Sequence, residues 1–75
     1  MQLIVDMVGT GKNIIKYRKK AGLSVVDLQE RLGLATPQAI YKWQQGRALP
    51  SIDNLIVLAA ILSTTMDSII ATKQI

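Results

Sequence analysis

The 75-residue chain contains no cysteine and no histidine, only two prolines, and five carboxylates against nine lysines and arginines. Each shortage excludes something. Without cysteine there is no disulfide framework and no thiolate metal site. Without histidine the chain lacks the commonest general base and the commonest metal ligand. The carboxylates are dispersed along the chain, Asp27 and Asp53 have helix-start explanations, and no serine has a histidine to activate it. Catalysis is therefore not expected, and neither a metal nor a cofactor is expected. The longest apolar run, LIVLAAIL, is eight residues, whereas a membrane span needs about 20. The opening MQLIVDMVG has neither the basic flank nor the apolar length of a secretory signal. A cytoplasmic setting with no membrane partner is the expectation.

What remains is a folding chain. With 49% hydrophobic and 19% charged residues it belongs among globular domains, and its length suits one domain with one core. A chain this small buries roughly 60% of its unfolded surface, so its stability is modest. The net charge of +4 is compatible with an anionic partner. Gly22, Gly33, Gly46 and Pro50 punctuate the sequence at the spacing of short helices joined by tight turns.

The pattern predicts five helices and no sheet. The first covers residues 10–21, with Ile14, Tyr17, Arg18 and Ala21 on one face. Ser24 caps a second over residues 25–32, with Asp27 in its first turn and Leu28 and Leu32 buried. A third covers residues 37–45: Thr36 is its capping candidate, Pro37 its first helical residue, Ile40 and Trp43 face inward, and Gln38, Tyr41, Lys42 and Gln45 face outward. Ser51 caps a fourth over residues 52–62. Thr65 caps a brief fifth whose Ile69 and Ile70 pack inward. The opening LIVDMV carries a weak strand signal and reads equally as an arm or an extension of the first helix. The domain expectation is an arm over residues 1–9, a helical domain over residues 10–72 and a tail over residues 73–75.

The second and third helices, a short turn apart, read as a helix-turn-helix. No acid occurs between Glu30 and Asp53, while Arg31, Lys42 and Arg47 do. A helix entering the major groove needs that composition. Gln can bond adenine twice, Lys can donate to guanine, and acids would be repelled by phosphates. By contrast VGTGKN is not a phosphate loop. Asp6 stands where a glycine is required and Asn13 where a magnesium-binding hydroxyl is required, so the stretch reads as a turn before a helix.

GKNIIKYRKKAGLSVVDLQERLGL, then PQAIYKWQQGRALPSIDNLIVLAAIL, then TTMDSII resembles the Cro/C1-type helix-turn-helix family of bacterial and phage regulators, over nearly the whole chain. The resemblance implies an all-α, compact five-helix lambda-repressor-like domain that binds double-stranded operator DNA, usually as a homodimer, as a transcriptional regulator of the repressor kind. It implies base or nearby phosphate contact for Thr36, Pro37, Gln38, Tyr41 and Lys42, and backbone contact for Gln45 and Arg47. Lys12, near the start of the first helix, is a further candidate, whereas Lys19 and Lys20 read as a solvated face. The chain departs from the family pattern in four places. Val25 replaces a phosphate-binding Gln. Gln29 replaces a small Ala. The turn LAT is a residue longer. Arg18 faces Gln44 where the family often has an acid, which implies a hydrogen bond in place of an ion pair.

The fourth helix is apolar nearly all round, and a domain this small has no core to bury such a helix completely. Its surplus residues, Ile56, Val57, Ala60 and Ile61, form a candidate dimer or partner surface. The alternative function is accordingly an antitoxin-like or regulatory protein-interaction module using that helix.

Overall fold

The computed structural model describes residues 2–75, and the part of the arm expectation that falls on Met1 lies outside the described residues. In chain order the elements are β1 (Leu3–Val5), α1 (Met7–Lys20), α2 (Val25–Leu32), α3 (Gln38–Gln44), α4 (Ile52–Ile61), α5 (Met66–Ile69) and β2 (Thr72–Gln74). The framework is the expected five-helix domain. Each helix sends one fully buried aliphatic into a common centre: Ile14, Leu28, Ile40, Leu58 and Ile69. Trp43, Leu55, Ala59 and Leu62 extend that core.

The helix ends follow local chemistry. Ser24 Oγ accepts from the Asp27 N–H at 3.0 Å, and Asp27 Oδ2 accepts from the Ser24 N–H at 2.9 Å, a reciprocal capping box. Ser51 and Thr65 cap α4 and α5 by accepting from the Asn54 and Ser68 amides. Gly33 and Gly46 sit at φ 71° and 72°, the left-handed turn that lets the next amide reach back: Leu34 to the Gln29 carbonyl, Arg47 to that of Lys42.

Three expectations require correction. The first helix begins at Met7, not Thr10, because Asp6 caps it, accepting from the Gly9 N–H at 2.9 Å. VGTGKN is therefore helix interior and not a turn before one. Pro37 is the residue before α3 and not its first helical member. Its ψ of 1° lies outside the helical well, although its carbonyl accepts the first intrahelical bond, from Tyr41.

The third correction concerns the termini, where a two-stranded antiparallel sheet forms instead of a free arm and tail. Leu3 pairs with Gln74, Ile4 with Lys73 and Val5 with Thr72. The sheet forms because α1 holds the chain leaving α5. Asn13 Nδ2 donates to the Ile69 carbonyl at 3.0 Å. Thr10 Oγ1, fully buried, accepts from the Ala71 N–H at 2.9 Å. The Asp6 N–H donates to the Ala71 carbonyl at 2.8 Å. Asp6 is the cap of α1, and positions 10 and 13 share one face of that helix, so the N-terminal half of α1 fixes the returning strand.

Candidate nucleic-acid interface

The candidate surface is built on α3. Ile40 and Trp43 point into the core, which fixes the opposite side of the helix outward. Gln38, Tyr41, Lys42 and Gln45, at the i, i+3, i+4, i+7 spacing of one helix face, are all exposed. Tyr41 keeps 43% of its surface open. Thr36 is exposed and Pro37 half-buried at the entrance of α3. The Thr36 Oγ1 lies 3.4 Å from the Gln38 amide, a long cap in the absence of any from Pro37. Arg47 is exposed beyond the Gly46 turn, and its Nη1 donates to Gln45 Oε1 at 3.3 Å. Seven of the eight residues singled out in sequence thus lie in one continuous segment; Lys12 comes from α1.

Two contacts set where that segment sits. Arg18 Nε donates to Gln44 Oε1 at 2.9 Å, and its Nη1 donates to the Leu23 carbonyl at 2.9 Å. One guanidinium therefore links α1, the loop before α2 and the end of α3, with the amide of Gln44 as neutral acceptor, as expected from the departure at that position. Gln29 lies along the turn, its Nε2 donating to the Leu34 carbonyl at 3.3 Å. Val25 packs half-buried against the core and offers no side-chain donor.

Two glycines position the surface: Gly46, which the sequence marks as the stop of the third helix, and Gly11, which it does not single out. At Gly11 a Cβ would collide with the Trp43 carbonyl oxygen and stand 2.7 Å from that of Gln44, so α1 and α3 meet backbone to backbone. At Gly46 a Cβ would stand 2.9 Å from the Val8 Cα. The N-terminal half of α1 thus lies against the end of α3 and the loop that follows, and exposed Lys12 is carried on the helical turn that abuts it. For Gly11 the only available signal was a small residue at a helix crossing, hidden while GTG read as a turn.

The electrostatics are one-sided. From Arg31 to Ile52 the chain carries three cations and no carboxylate. Asp27 lies outside this stretch, at the start of α2. Its carboxyl is held below the ordinary carboxylate range first by the Ser24 backbone N–H, then by the Ser24 hydroxyl, with Arg31 adding to both. Among the described residues no cluster of acidic, histidine or cysteine side chains is able to hold a metal ion, and no helix is long and apolar enough to cross a membrane.

The helix-turn-helix family model (HTH_3) matches residues 14–69, well over half of the chain. The chain belongs to the Cro/C1-type helix-turn-helix family. That family consists of DNA-binding regulators of transcription. Among solved structures the chain is similar to the restriction-modification controller protein C.AhdI from Aeromonas hydrophila. The identity is 25%, the TM-score 0.76, and the match covers 85% of this chain and 96% of that one. It is also similar in fold to the clp gene regulator ClgR from Corynebacterium glutamicum, at 16% identity and a TM-score of 0.76, covering 91% and 86% of the respective chains. No curated protein sequence matches significantly.

Proposed function

We propose that this family member binds duplex DNA sequence-specifically, as a cytoplasmic transcriptional repressor, by inserting residues 37–45 into the major groove. The observation that carries the reading is the exposed polar face of α3, anchored from behind by Ile40 and Trp43 and free of acids from Arg31 to Ile52. Gln38 and Lys42 read base edges, Gln by paired hydrogen bonds and Lys by donation. Tyr41 supplies an apolar or phosphate contact. Thr36 and Pro37 approach the strand at the helix entrance. Gln45, Arg47 and Lys12 hold phosphates, which gives affinity and orientation without sequence information. Occupying an operator is the simplest way for such a domain to change transcription, hence repression. The likeness to a restriction-modification controller protein supports a regulatory role. A homodimer would set two copies of α3 one DNA turn apart.

The test is a salt titration of duplex binding. Neutralising Z phosphates gives a slope of log K against log salt of about −0.9Z, and a steep negative slope is expected. Binding indifferent to salt would refute the reading.

A second reading is favoured by the outer face of α4. Ile56, Val57 and Ala60 are exposed, with Ile61 half-buried beside them against the core. This face suits a protein partner, as in an antitoxin-like or regulatory interaction module. Association through it would persist in salt, the opposite of DNA binding.

A further inference from the structure

The terminal ribbon is an incomplete sheet. Two strands of three residues are marginal in water unless more strands or a packed face support them. The hydrogen bonds at its two ends show which edge is open. The Asp6 N–H donates to Ala71 and the Ile75 N–H to Gln2. Because bonding alternates along an antiparallel pair, Gln2, Ile4 and Asp6 turn their polar backbone groups toward β2, and Leu3 and Val5 turn theirs away. Both of those residues are exposed, Leu3 at 59%. Nothing among the described residues bonds their outward N–H and C=O groups.

We infer that the outer edge of β1 pairs antiparallel with β1 of a second copy of this chain, giving a continuous sheet in the order β2–β1–β1–β2. The register is self-complementary. Pairing the outward groups of Leu3 with those of Val5 in the second copy makes both hydrogen-bonded pairs at once and places the two-fold axis at Ile4, opposite its own copy. Every facing pair is then apolar, the kind of cross-strand neighbour that stabilises a sheet. The other edge cannot serve in the same way. The equivalent pairing of β2 would set Lys73 against Lys73, and facing like charges are destabilising. A lysine at a strand edge also deters pairing in general. One edge is guarded by charge and the other is uncharged over Leu3, Ile4 and Val5.

The inference rests on the homodimer reading and specifies its interface, and its test separates the two. The chain has no native cysteine, so a single introduced thiol reports on register. Cα atoms facing each other in a non-hydrogen-bonded pair lie about 4.5 Å apart, within disulfide reach. Under mild oxidation Ile4→Cys is expected to give a covalent dimer, while Leu3→Cys, Val5→Cys and Lys73→Cys remain mainly monomeric. Equal cross-linking of Lys73→Cys, or none for Ile4→Cys, overturns the register. Sedimentation equilibrium supplies the second readout. The unmodified chain should approach twice 8.2 kDa as concentration rises. Leu3→Pro deletes an outward N–H and no ladder bond, and should raise the dissociation constant at least tenfold; Thr72→Pro, its counterpart on β2, should not. Leu3→Glu and Val5→Lys should each weaken the dimer, and the double variant should restore it by setting opposite charges face to face. A dimer unmoved by all β1 changes but abolished by Val57→Glu would keep the homodimer and reject this interface. A chain monomeric at every concentration would reject both.

Discussion

Helices α3 and α4 are anchored alike and finished differently. Each buries aliphatic or aromatic side chains in the same core, Ile40 and Trp43 from one, Leu55, Leu58 and Ala59 from the other. Their outer faces are near opposites. That of α3 carries Gln38, Tyr41, Lys42 and Gln45; that of α4 carries Ile52, Ile56, Val57 and Ala60. The inner faces specify the fold and are interchangeable in character. The outer faces contribute little to the core, so their composition reports what the helix meets. A polar, acid-free face suits a hydrated, anionic groove, and an aliphatic face suits another protein surface.

The comparison breaks most visibly if the anchoring fails. Trp43→Ala should destabilise the domain by about 3–5 kcal/mol, a large share of a small domain's stability, and thermal melting would register it. A small loss would mean that α3 is not pinned from behind. Gly11→Ala should follow at about 1–3 kcal/mol, since overpacking costs of that order and the added methyl meets main-chain carbonyls at the α1–α3 contact. Its DNA affinity should fall even below the melting range, because α3 is displaced.

The outer faces then separate the helices. Lys42→Ala should leave the melting temperature nearly unchanged, cost roughly 1–3 kcal/mol of DNA binding and relax preference at one base position. Arg47→Ala should weaken all sequences alike and make the salt slope shallower by about 1. On α4, Val57→Ser should shift stability by no more than about 0.5 kcal/mol and leave the salt slope untouched. If Val57→Ser weakens DNA binding as much as Lys42→Ala does, the division between the two faces fails.

The smallest effect is one of pH. Asp27 has a lowered carboxyl pKa, so its capping contribution is fully present above the ordinary carboxylate pKa of about 4. It is lost as pH falls through the lower folded value. Melting temperature against pH should therefore decline on the acid side, and Asp27→Asn should remove part of that decline.

The helical skeleton was legible because its signals are local. Ser24, Ser51 and Thr65 each stand directly before the apolar pattern they cap, and within single helices Ile14 with Tyr17, Leu28 with Leu32 and Ile40 with Trp43 stand three or four residues apart. The Arg18–Gln44 bond was also legible, through the resemblance to a family that places an acid at the second position. The terminal sheet was not. Thr72, Lys73 and Gln74 have no alternation of their own, and they become a strand because Thr10 and Asn13, far away in sequence, hold the preceding residues. The early start of α1 was hidden by two glycines that disfavour a helix locally, one of them required by the backbone of α3. At the candidate interface the exposure of the polar face was legible from the buried positions of Ile40 and Trp43. The placement of Pro37 outside the helix was not, since it turns on a single backbone angle.

If the outer face of α3 reads base sequence, changing one of its side chains changes which duplexes are bound. Selection of bound duplexes from a random pool, run in parallel with the unmodified chain and Lys42→Ala, tests it most directly. One enriched motif is expected for the unmodified chain, and the same motif with a single relaxed position for the variant. No enrichment, or identical motifs from both proteins, would contradict it.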